Sequence, residues 1–290
     1  MEEPRTRSVQ EILPARETIE GAGVHLRRAF GHLQVPKLDP FLLLDDFRSE
    51  NPAEFVAGFP WHPHRGIETV TYMLDGRVDH EDSLGNAGVI GPGDVQWMTA
   101  GSGIIHQEMP KGDSSGRMGG FQLWVNLPAS QKMMDPRYQE VQNARIPEVE
   151  VSKGIRARVV SGEAGGVRGP VRDIVVDPEF LDLRLEPGAV LEHPVKPGHR
   201  AFAYLVGGEG TFEEEGERID SEHLVLFGDG SRVRVQAGSR PLRFLLISGR
   251  PLGEPVAWWG PIVMNTRKEL EVAVDEYHNG TFLRRGKSPA

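Results

Sequence analysis

The sequence of 290 residues contains no cysteine. Disulfide bonds, thiolate zinc sites and iron–sulfur clusters are therefore excluded. Any metal ion must be bound by histidine, aspartate or glutamate side chains. The absence of disulfides fits a reducing compartment, so we expect a cytoplasmic protein, with the nucleus as a further compartment if the source is a eukaryote.

Long apolar runs and blocks of basic residues are also missing. The longest apolar stretches, such as Phe41 to Leu44, are far too short to span a bilayer, and the N-terminal stretch lacks the apolar region of a secretory signal. The formal net charge is −9, whereas nucleic-acid-binding domains usually concentrate positive charge. The sequence therefore predicts no membrane association and no direct contact with nucleic acid.

The residues that are present indicate a globular, β-rich protein. Hydrophobic residues make up 38% of the chain, and its 35 glycines and 22 prolines are scattered without a period. The β-branched segment 67–74 ends at the turn dipeptide Asp75-Gly76, after which 77–83 is predicted to be a returning strand. Short strands and frequent turns predict an all-β barrel or sandwich.

The second half of the chain repeats the pattern of the first half, in which short strand-like segments are separated by turns. Residues 71–76 resemble residues 203–208, and strand-like segments resume after 131–150, a polar stretch that we interpret as a linker. We expect an N-terminal domain at 1–135 and a C-terminal domain at 136–290, the latter including a terminal helix.

The terminal helix is predicted from its capping residues and its apolar face. Thr266 and Glu269 have the spacing of a capping box, and Gly280 is a natural stop. The apolar positions follow the helical repeat: Leu270, Ala273, Val274 and Tyr277. This pattern favours a structural helix that packs against a barrel.

Two short segments carry the candidate metal site. Side chains at positions i and i+2 of a strand leave the same face, so His62 and His64 project together, as do His106 and Glu108. If both strands line one barrel interior, three imidazoles and a carboxylate converge, which suits a divalent first-row metal. Glu68 lies an even number of residues after His64 and is a competing ligand.

A lone His-x-His pair is weak evidence, and the second pair strengthens it. Other histidines have no such partner pair nearby, and we interpret them as surface or structural residues, among them His25, His32, His80 and His278.

Five segments of the sequence resemble the pirin family. They are residues 62–110, 119–128, 133–140, 185–195 and 249–266. The resemblance covers most of the chain and implies an all-β fold of two cupin (jelly-roll) β-barrels packed face to face, with a short C-terminal helix. It implies one metal ion in the N-terminal barrel.

The same resemblance implies the ligands. It places metal-binding roles on His62, His64, His106 and Glu108, whereas many other cupins use a carboxylate at the position of Glu68. We therefore expect Glu108 to bind the metal and Glu68 to orient a ligand imidazole through its free N–H.

The second barrel is predicted to bind no metal. The internal repeat aligns four residues that are not metal ligands with the site residues: Pro194, Lys196, Arg243 and Leu245. The nearby His193 and His199 do not have the spacing to replace the missing pair.

The resemblance also implies an activity. Pirins resemble flavonol 2,3-dioxygenases, which open the heterocycle of quercetin with O2 and release carbon monoxide. We expect one divalent metal ion, with Fe(II) preferred among the candidates Fe, Mn, Ni, Co, Cu and Zn. We expect Glu108 to be the catalytic residue, acting both as a metal ligand and as the base. Five apolar side chains are candidates for the walls of a flat aromatic site: Phe59, Trp61, Trp97, Met98 and Trp124.

A second interpretation stays open, because family members are implicated as iron-dependent, redox-sensing regulators that bind transcription factors or metabolic enzymes. Fe(II) and Fe(III) differ by one charge, which can bias a nearby loop. Sugar-modifying cupins share the barrel but fit these motifs poorly. We expect a monomer that takes a flavonol-like substrate and O2.

Overall fold

The computed structural model describes residues 5–284. Within that range most of the regular structure is β-strand, and the helices are Val35–Leu38 (α1) and Arg267–His278 (α2), with 3-10 turns at Pro52–Glu54 and Asn143–Arg145. The predicted all-β class with a short C-terminal helix is confirmed. No helix in this part of the chain is long and apolar enough to cross a lipid bilayer.

Helix α2 begins as its sequence predicts. The hydroxyl of Thr266 accepts a hydrogen bond from the backbone N–H of Glu269, whose carboxylate accepts one from the N–H of Thr266. This reciprocal pair occupies N–H groups that the first turn of a helix would otherwise leave without partners.

One compact unit, the N-terminal barrel unit, comprises residues 17–32, 41–143 and the C-terminal segment from Leu252. Its strands are β2 (Arg16–Glu20), β3 (Val24–Phe30), β4 (Phe41–Asp46), β5 (Phe59–His64), β6 (Ile67–Asp75), β7 (Arg77–Asp82), β8 (Ala87–Ile90), β9 (Val95–Thr99), β10 (Ile104–Lys111), β11 (Gly119–Asn126), β12 (Arg137–Val141), β25 (Ala257–Trp259) and β26 (Ile262–Met264). A seven-stranded sheet has the order β12-β9-β6-β11-β4-β3-β2, a four-stranded sheet has the order β5-β10-β7-β8, and β25 pairs with β26.

The other compact unit, the second barrel unit, comprises the N-terminal segment up to Arg16 together with residues 33–40 and 144–251. Its strands are β1 (Val9–Pro14), β13 (Glu148–Ser152), β14 (Ile155–Ser161), β15 (Glu163–Ala164), β16 (Val167–Arg168), β17 (Glu179–Leu185), β18 (Val190–Pro194), β19 (Arg200–Gly207), β20 (Glu209–Thr211), β21 (Ile219–Asp220), β22 (His223–Phe227), β23 (Arg232–Ala237) and β24 (Leu242–Gly249). They form sheets in the orders β1-β22-β19-β24-β17-β14-β13 and β18-β23-β20-β21, with β15 paired to β16.

These compact units differ from the division predicted at residue 135. Strand β1 extends a sheet of the second barrel unit by pairing with β22. Helix α2 belongs to the N-terminal barrel unit, where Ala273 packs in an apolar cluster with Ile105 and Ile262. The N-terminal strand therefore belongs to the second barrel unit because of its strand pairing, and the C-terminal helix belongs to the N-terminal barrel unit because its apolar face is buried there.

Two local expectations need correction. The turn at Asp75-Gly76 forms, and Gly76 has the positive φ of 67° that such a turn requires, but β6 and β7 lie in different sheets instead of pairing as a hairpin. The stretch 131–150, interpreted as a linker, contains β12 and the start of β13. Its polar, proline-containing composition concealed the alternation of strands at a sheet edge.

Candidate metal centre

Adjacent antiparallel strands place the three site histidines together. Strand β5 carries His62 and His64, and β10 carries His106 directly opposite His62 in the register of the pair. Because side chains alternate across a strand, all three imidazoles leave the same face of this sheet. Their candidate ligand nitrogens all lie within 4.8 Å of one another.

Backbone carbonyl groups determine the tautomers of two of these rings. His62 Nδ1 lies 2.9 Å from the carbonyl oxygen of Pro60, and His64 Nδ1 lies 3.2 Å from that of Pro261. A carbonyl oxygen only accepts hydrogen bonds, so each Nδ1 carries the proton. The Nε2 atom of each neutral ring therefore presents its lone pair to the centre of the site.

The distances between these nitrogens fit a bound cation. His62 Nε2 lies 3.1 Å from His64 Nε2 and 2.9 Å from His106 Nε2. Two lone pairs that face each other at this distance repel unless a positive charge lies between them. Nitrogens held at right angles about 2.1 Å from one ion would stand about 3 Å apart. The residues present therefore fit a divalent metal ion.

Burial keeps the imidazoles neutral, as metal ligands must be. It is the largest cause that lowers the pKa of His62 and holds the pKa values of His64 and His106 well below the ordinary value. The neighbouring imidazoles lower the pKa values of His64 and His106 further.

A fourth histidine supports the site, and its role was missed in the sequence. His80 is 2% exposed, and its Nε2 lies 3.0 Å from His106 Nδ1. If His106 binds an ion through Nε2, its Nδ1–H donates to His80. The interpretation of His80 as a surface or structural residue did not place it beside His106, where it supports a candidate ligand. The pairing of β7 with β10, which places His80 opposite Glu108, supplies the missing signal.

Glu108 follows His106 by two residues and lines the same cavity as His62 and His64. Its pairing with β7 is regular, but a register shift separates His106 from Glu108 on the side of β5. The Thr71 hydroxyl lies 3.3 Å from its Oε1 atom. Burial raises the pKa of this carboxyl to about 7, and the hydrogen bond from Thr71 opposes that rise.

Glu68 does not take the position expected of it. It is an odd number of residues from Thr71, which lines the cavity, so its side chain leaves the opposite face of β6. Its Oε1 accepts a 2.6 Å hydrogen bond from the hydroxyl of Thr99. The three Nδ1 atoms are held by Pro60, Pro261 and His80, so the prediction that Glu68 orients an imidazole is wrong.

The C-terminal segment completes the site. The carbonyl of Pro261 holds His64, and the fully buried Lys132 donates to the carbonyl oxygens of Gly66 and Val263 at 2.9 and 3.1 Å. A side chain at Gly66 would place Cβ 2.0 Å from the oxygen of Val263, so only glycine permits this approach. Residues 257–264 are thereby held against the strand that carries His62 and His64.

A cavity of about 600 Å³ opens beside the imidazoles. Of the five apolar side chains expected to line it, Phe59 and Trp124 do so. Trp61 packs instead against the cluster that includes Ile105, Met98 packs against Ala100 and Ile104, and Trp97 is buried in β9. Further lining residues come from distant segments: Leu26, His32, Leu43, Phe47, Met118 and Trp258.

In the second barrel unit, His193 and Arg243 are each paired with a carboxylate. His193 Nε2 lies 2.8 Å from a carboxylate oxygen of Glu179, and Arg243 forms a bidentate pair with Asp182. Among residues 5–284, the only group of three potential ligands this close together is that of His62, His64 and His106.

Comparison with known proteins gives consistent matches. The family model described as Pirin matches residues 23–125, and the model described as Pirin C-terminal cupin domain matches residues 180–283. A pirin-like protein of Caulobacter vibrioides is 46% identical over 95% of this chain and 99% of its own length. Pirin of Homo sapiens is 42% identical over 91% of this chain and 90% of its own.

A solved structure resembles the whole chain. The crystal structure of a quercetin 2,3-dioxygenase from Acinetobacter baumannii has a TM-score of 0.88 at 30% sequence identity and covers 96% of this chain and 99% of that chain.

Proposed function

Because this chain belongs to the pirin family, we propose that it is a non-haem metal-dependent dioxygenase that opens the heterocycle of flavonols with O2. The observation that carries the proposal is the pair of imidazoles, His62 and His64, whose lone pairs face each other beside a cavity of about 600 Å³. A cation bound between these lone pairs would lie beside a cavity large enough for a small-molecule ligand.

The ligand set of this centre comprises His62, His64, His106 and Glu108, with Glu108 as the catalytic residue. Three neutral nitrogens and one carboxylate suit first-row divalent ions, and we propose Fe(II) first, with Mn, Ni, Co, Cu and Zn as ions that the same donors accept. The likeness to a quercetin 2,3-dioxygenase over nearly the whole chain supports this choice of chemistry.

The walls of the cavity favour a flat aromatic substrate. The ring of Trp124 meets His64 edge to face at 5.1 Å and lies 5.9 Å from the ring of Trp258. Phe59 contributes a further ring to the lining. Planar apolar walls with a few convergent polar groups orient an aromatic ligand and exclude water from it.

The residues around the ligand have separate tasks in the reaction. A bound first-row ion would supply Lewis acidity and a position for O2. The carboxylate of Glu108 accepts the proton of the flavonol 3-hydroxyl, and Thr71 holds this carboxylate in the cavity wall. The aromatic walls keep the deprotonated ring system oriented while it reacts.

The test is turnover under controlled metal loading. Protein loaded anaerobically with Fe(II) and given quercetin and O2 should yield ring-opened product and carbon monoxide. The variant Glu108→Gln should yield neither. Absence of both products with Fe, Mn, Ni, Co and Cu would overturn the proposal.

A second candidate function is redox-dependent binding of a protein partner, with the charge of the iron as the switch. It is favoured by the contact of His64 with Pro261, because Pro261 lies next to the exposed Trp259 in residues 257–264. A change in the charge of the metal centre would alter the conformation of that surface segment through this contact. Hydrogen exchange of residues 257–264 should differ between Fe(II) and Fe(III) protein, and identical exchange would exclude the switch.

A further inference from the structure

A row of polar side chains crosses the cavity face of the seven-stranded sheet. In the strand registers, Thr71 of β6 stands opposite Gln122 of β11, Gln122 stands opposite Asp45 of β4, and Asp45 stands opposite Arg28 of β3. All four residues line the cavity. We call them the polar row.

The polar row begins at the metal centre and runs away from it. The hydroxyl of Thr71 lies 3.3 Å from Glu108 Oε1 and 2.7 Å from Gln122 Oε1. Neighbouring strands are about 4.8 Å apart, so Thr71 and Arg28, three strands apart, stand about 14 Å from each other. An elongated ligand whose metal-binding hydroxyl lies at the imidazoles would therefore extend toward the Arg28–Asp45 pair.

Apolar side chains flank the polar row on both sides. Trp124 follows Gln122 by two residues and Leu43 precedes Asp45 by two, so both side chains leave the same face as the polar row. Trp124 stands opposite Leu43 in the register of the two strands. On the other side, Phe47 follows Asp45 by two residues and Leu26 precedes Arg28 by two, and both line the cavity. This surface matches a flat apolar molecule with polar groups along one edge.

The far end of the polar row is a charged cluster with a net negative charge. Arg28 donates from Nε and Nη2 to the two carboxylate oxygens of Asp45, each at 2.8 Å, and its Nη1 lies 2.9 Å from a carboxylate oxygen of Glu20. Asp45 is 5% exposed. One guanidinium against two carboxylates disfavours a ligand carboxylate or phosphate and favours a neutral hydroxyl that donates to an oxygen.

The middle of the polar row offers an acceptor to a ligand. A hydroxyl carries one proton, so Thr71 can donate either to Gln122 or to Glu108 and leaves the other oxygen free to accept. A ligand hydroxyl group can therefore donate to the oxygen that Thr71 leaves free.

We propose that the polar row selects elongated, planar, polyhydroxylated aromatic ligands, and that the Arg28–Asp45 pair binds the hydroxyl farthest from the imidazoles. This inference rests on the proposed function and adds the residues that discriminate among flavonols by their outer hydroxyl groups.

The test compares two ligands that share the metal-binding hydroxyl. Quercetin carries further hydroxyls on both of its outer ring systems, whereas 3-hydroxyflavone carries only the hydroxyl beside its carbonyl. Dissociation constants are measured by absorbance titration of anaerobic, Fe(II)-loaded protein, in which no turnover occurs. Wild-type protein should bind quercetin on the order of 10-fold or more tightly than 3-hydroxyflavone, because the ligand without outer hydroxyl groups cannot make hydrogen bonds to the charged groups.

The double variant Arg28→Leu/Asp45→Leu removes the pair without leaving either charge without its partner. Its preference for quercetin should fall to nearly 1-fold, with the affinity for 3-hydroxyflavone unchanged. The matched control is Arg243→Leu/Asp182→Leu, which removes a bidentate pair of similar exposure in the second barrel unit and should keep the wild-type preference. If circular dichroism shows that the cavity double variant is unfolded, the two dissociation constants are measured for Asp45→Asn instead. This variant should also reduce the preference for quercetin.

The outcomes separate this inference from the proposed function. If wild-type protein binds both ligands and the cavity variants keep the preference, or lose both affinities equally, the inference is wrong and the dioxygenase proposal stands. If wild-type protein binds neither ligand, both proposals fail.

Discussion

At the scale of single residues, the hydrogen-bond partner of each Nδ1 atom determines what the metal centre can bind. Two carbonyl oxygens hold His62 and His64 with Nε2 free, and His80 holds His106. The acceptors behind metal-binding histidines fix the tautomer and the ring orientation, and their loss weakens metal binding without removing a ligand.

The substitution His80→Phe should therefore lower the affinity for Fe(II) on the order of 10- to 100-fold. It leaves the buried Nδ1–H of His106 without its acceptor. Competition with a chromogenic chelator measures the change, and His80→Gln, which keeps a side-chain acceptor, should recover part of it. The exposed His25 provides the control His25→Phe, and equal affinities in the His80→Phe and control proteins would contradict the role of His80.

The two glutamates should behave differently when each is replaced by glutamine. Glu108→Gln should weaken metal binding and abolish flavonol turnover, because Glu108 shares the cavity with His62 and His64. Glu68→Gln should keep about the wild-type metal affinity, because its side chain lies on the other face of β6 against Thr99. Metal analysis after gel filtration distinguishes them, and loss of metal in Glu68→Gln alone would reverse the assignment.

At the scale of elements, a fully buried arginine ties the C-terminal segment to the strand that carries the histidines. Arg65 donates to the carbonyl oxygens of Ser102 and Phe282 and to the carboxylate of Glu276 in α2. Its guanidinium also stacks 4.1 Å from the ring centre of Phe282. This single side chain therefore satisfies acceptors on three separate segments.

Replacing this arginine should be costly. Arg65→Leu should reduce the free energy of unfolding by on the order of 3 to 5 kcal/mol, because Glu276 loses a buried partner and two carbonyls lose their donors. The exposed pair Arg267–Glu271 on the same helix offers a comparison, and Arg267→Ala should cost about 0.5 kcal/mol or less. Urea denaturation measures both, and similar losses in the two variants would show that the Arg65 contacts contribute little.

At the scale of the whole molecule, each unit has apolar clusters of its own. The second barrel unit buries a continuous set of aliphatic and aromatic side chains contributed by both of its larger sheets, and the N-terminal barrel unit buries separate clusters, two of which contain residues of β10. Apolar burial on this scale dominates folding free energy, so a metal ion adds to a fold that already exists.

Metal loss should accordingly leave the protein folded. The variants His62→Ala, His64→Ala and His106→Ala should each lose most of the bound metal and keep the far-ultraviolet circular dichroism of the parent. Chelator treatment should lower the melting temperature of wild-type protein and leave those of the variants unchanged, since only wild-type protein has bound metal to lose. Unfolded spectra for all three would mean that the metal is structural.

The whole chain should bind one equivalent of metal. In the second barrel unit His193 is paired with Glu179, and apolar side chains fill the space between the sheets. Metal analysis should give about one ion per chain for the parent and for His193→Ala. Two ions per chain, or loss of one in that variant, would locate a second site there.

Several features of this protein could be predicted from the sequence because they depend only on residues that are close together along the chain. The i and i+2 spacing of His62 and His64 determines a shared face once a strand forms, and the capping box at Thr266 and Glu269 forms as predicted. The family motifs identify the fold. These features follow from backbone geometry over a few residues.

Only the tertiary structure decided which distant residues complete the site. Pairing of β7 with β10 brings His80 to His106, the C-terminal segment brings Pro261 to His64, and four registered strands align Arg28 with Thr71. Such contacts depend on which strands become neighbours and in which register. That choice is set by the packing of the whole sheet, so no local pattern in the sequence reveals it.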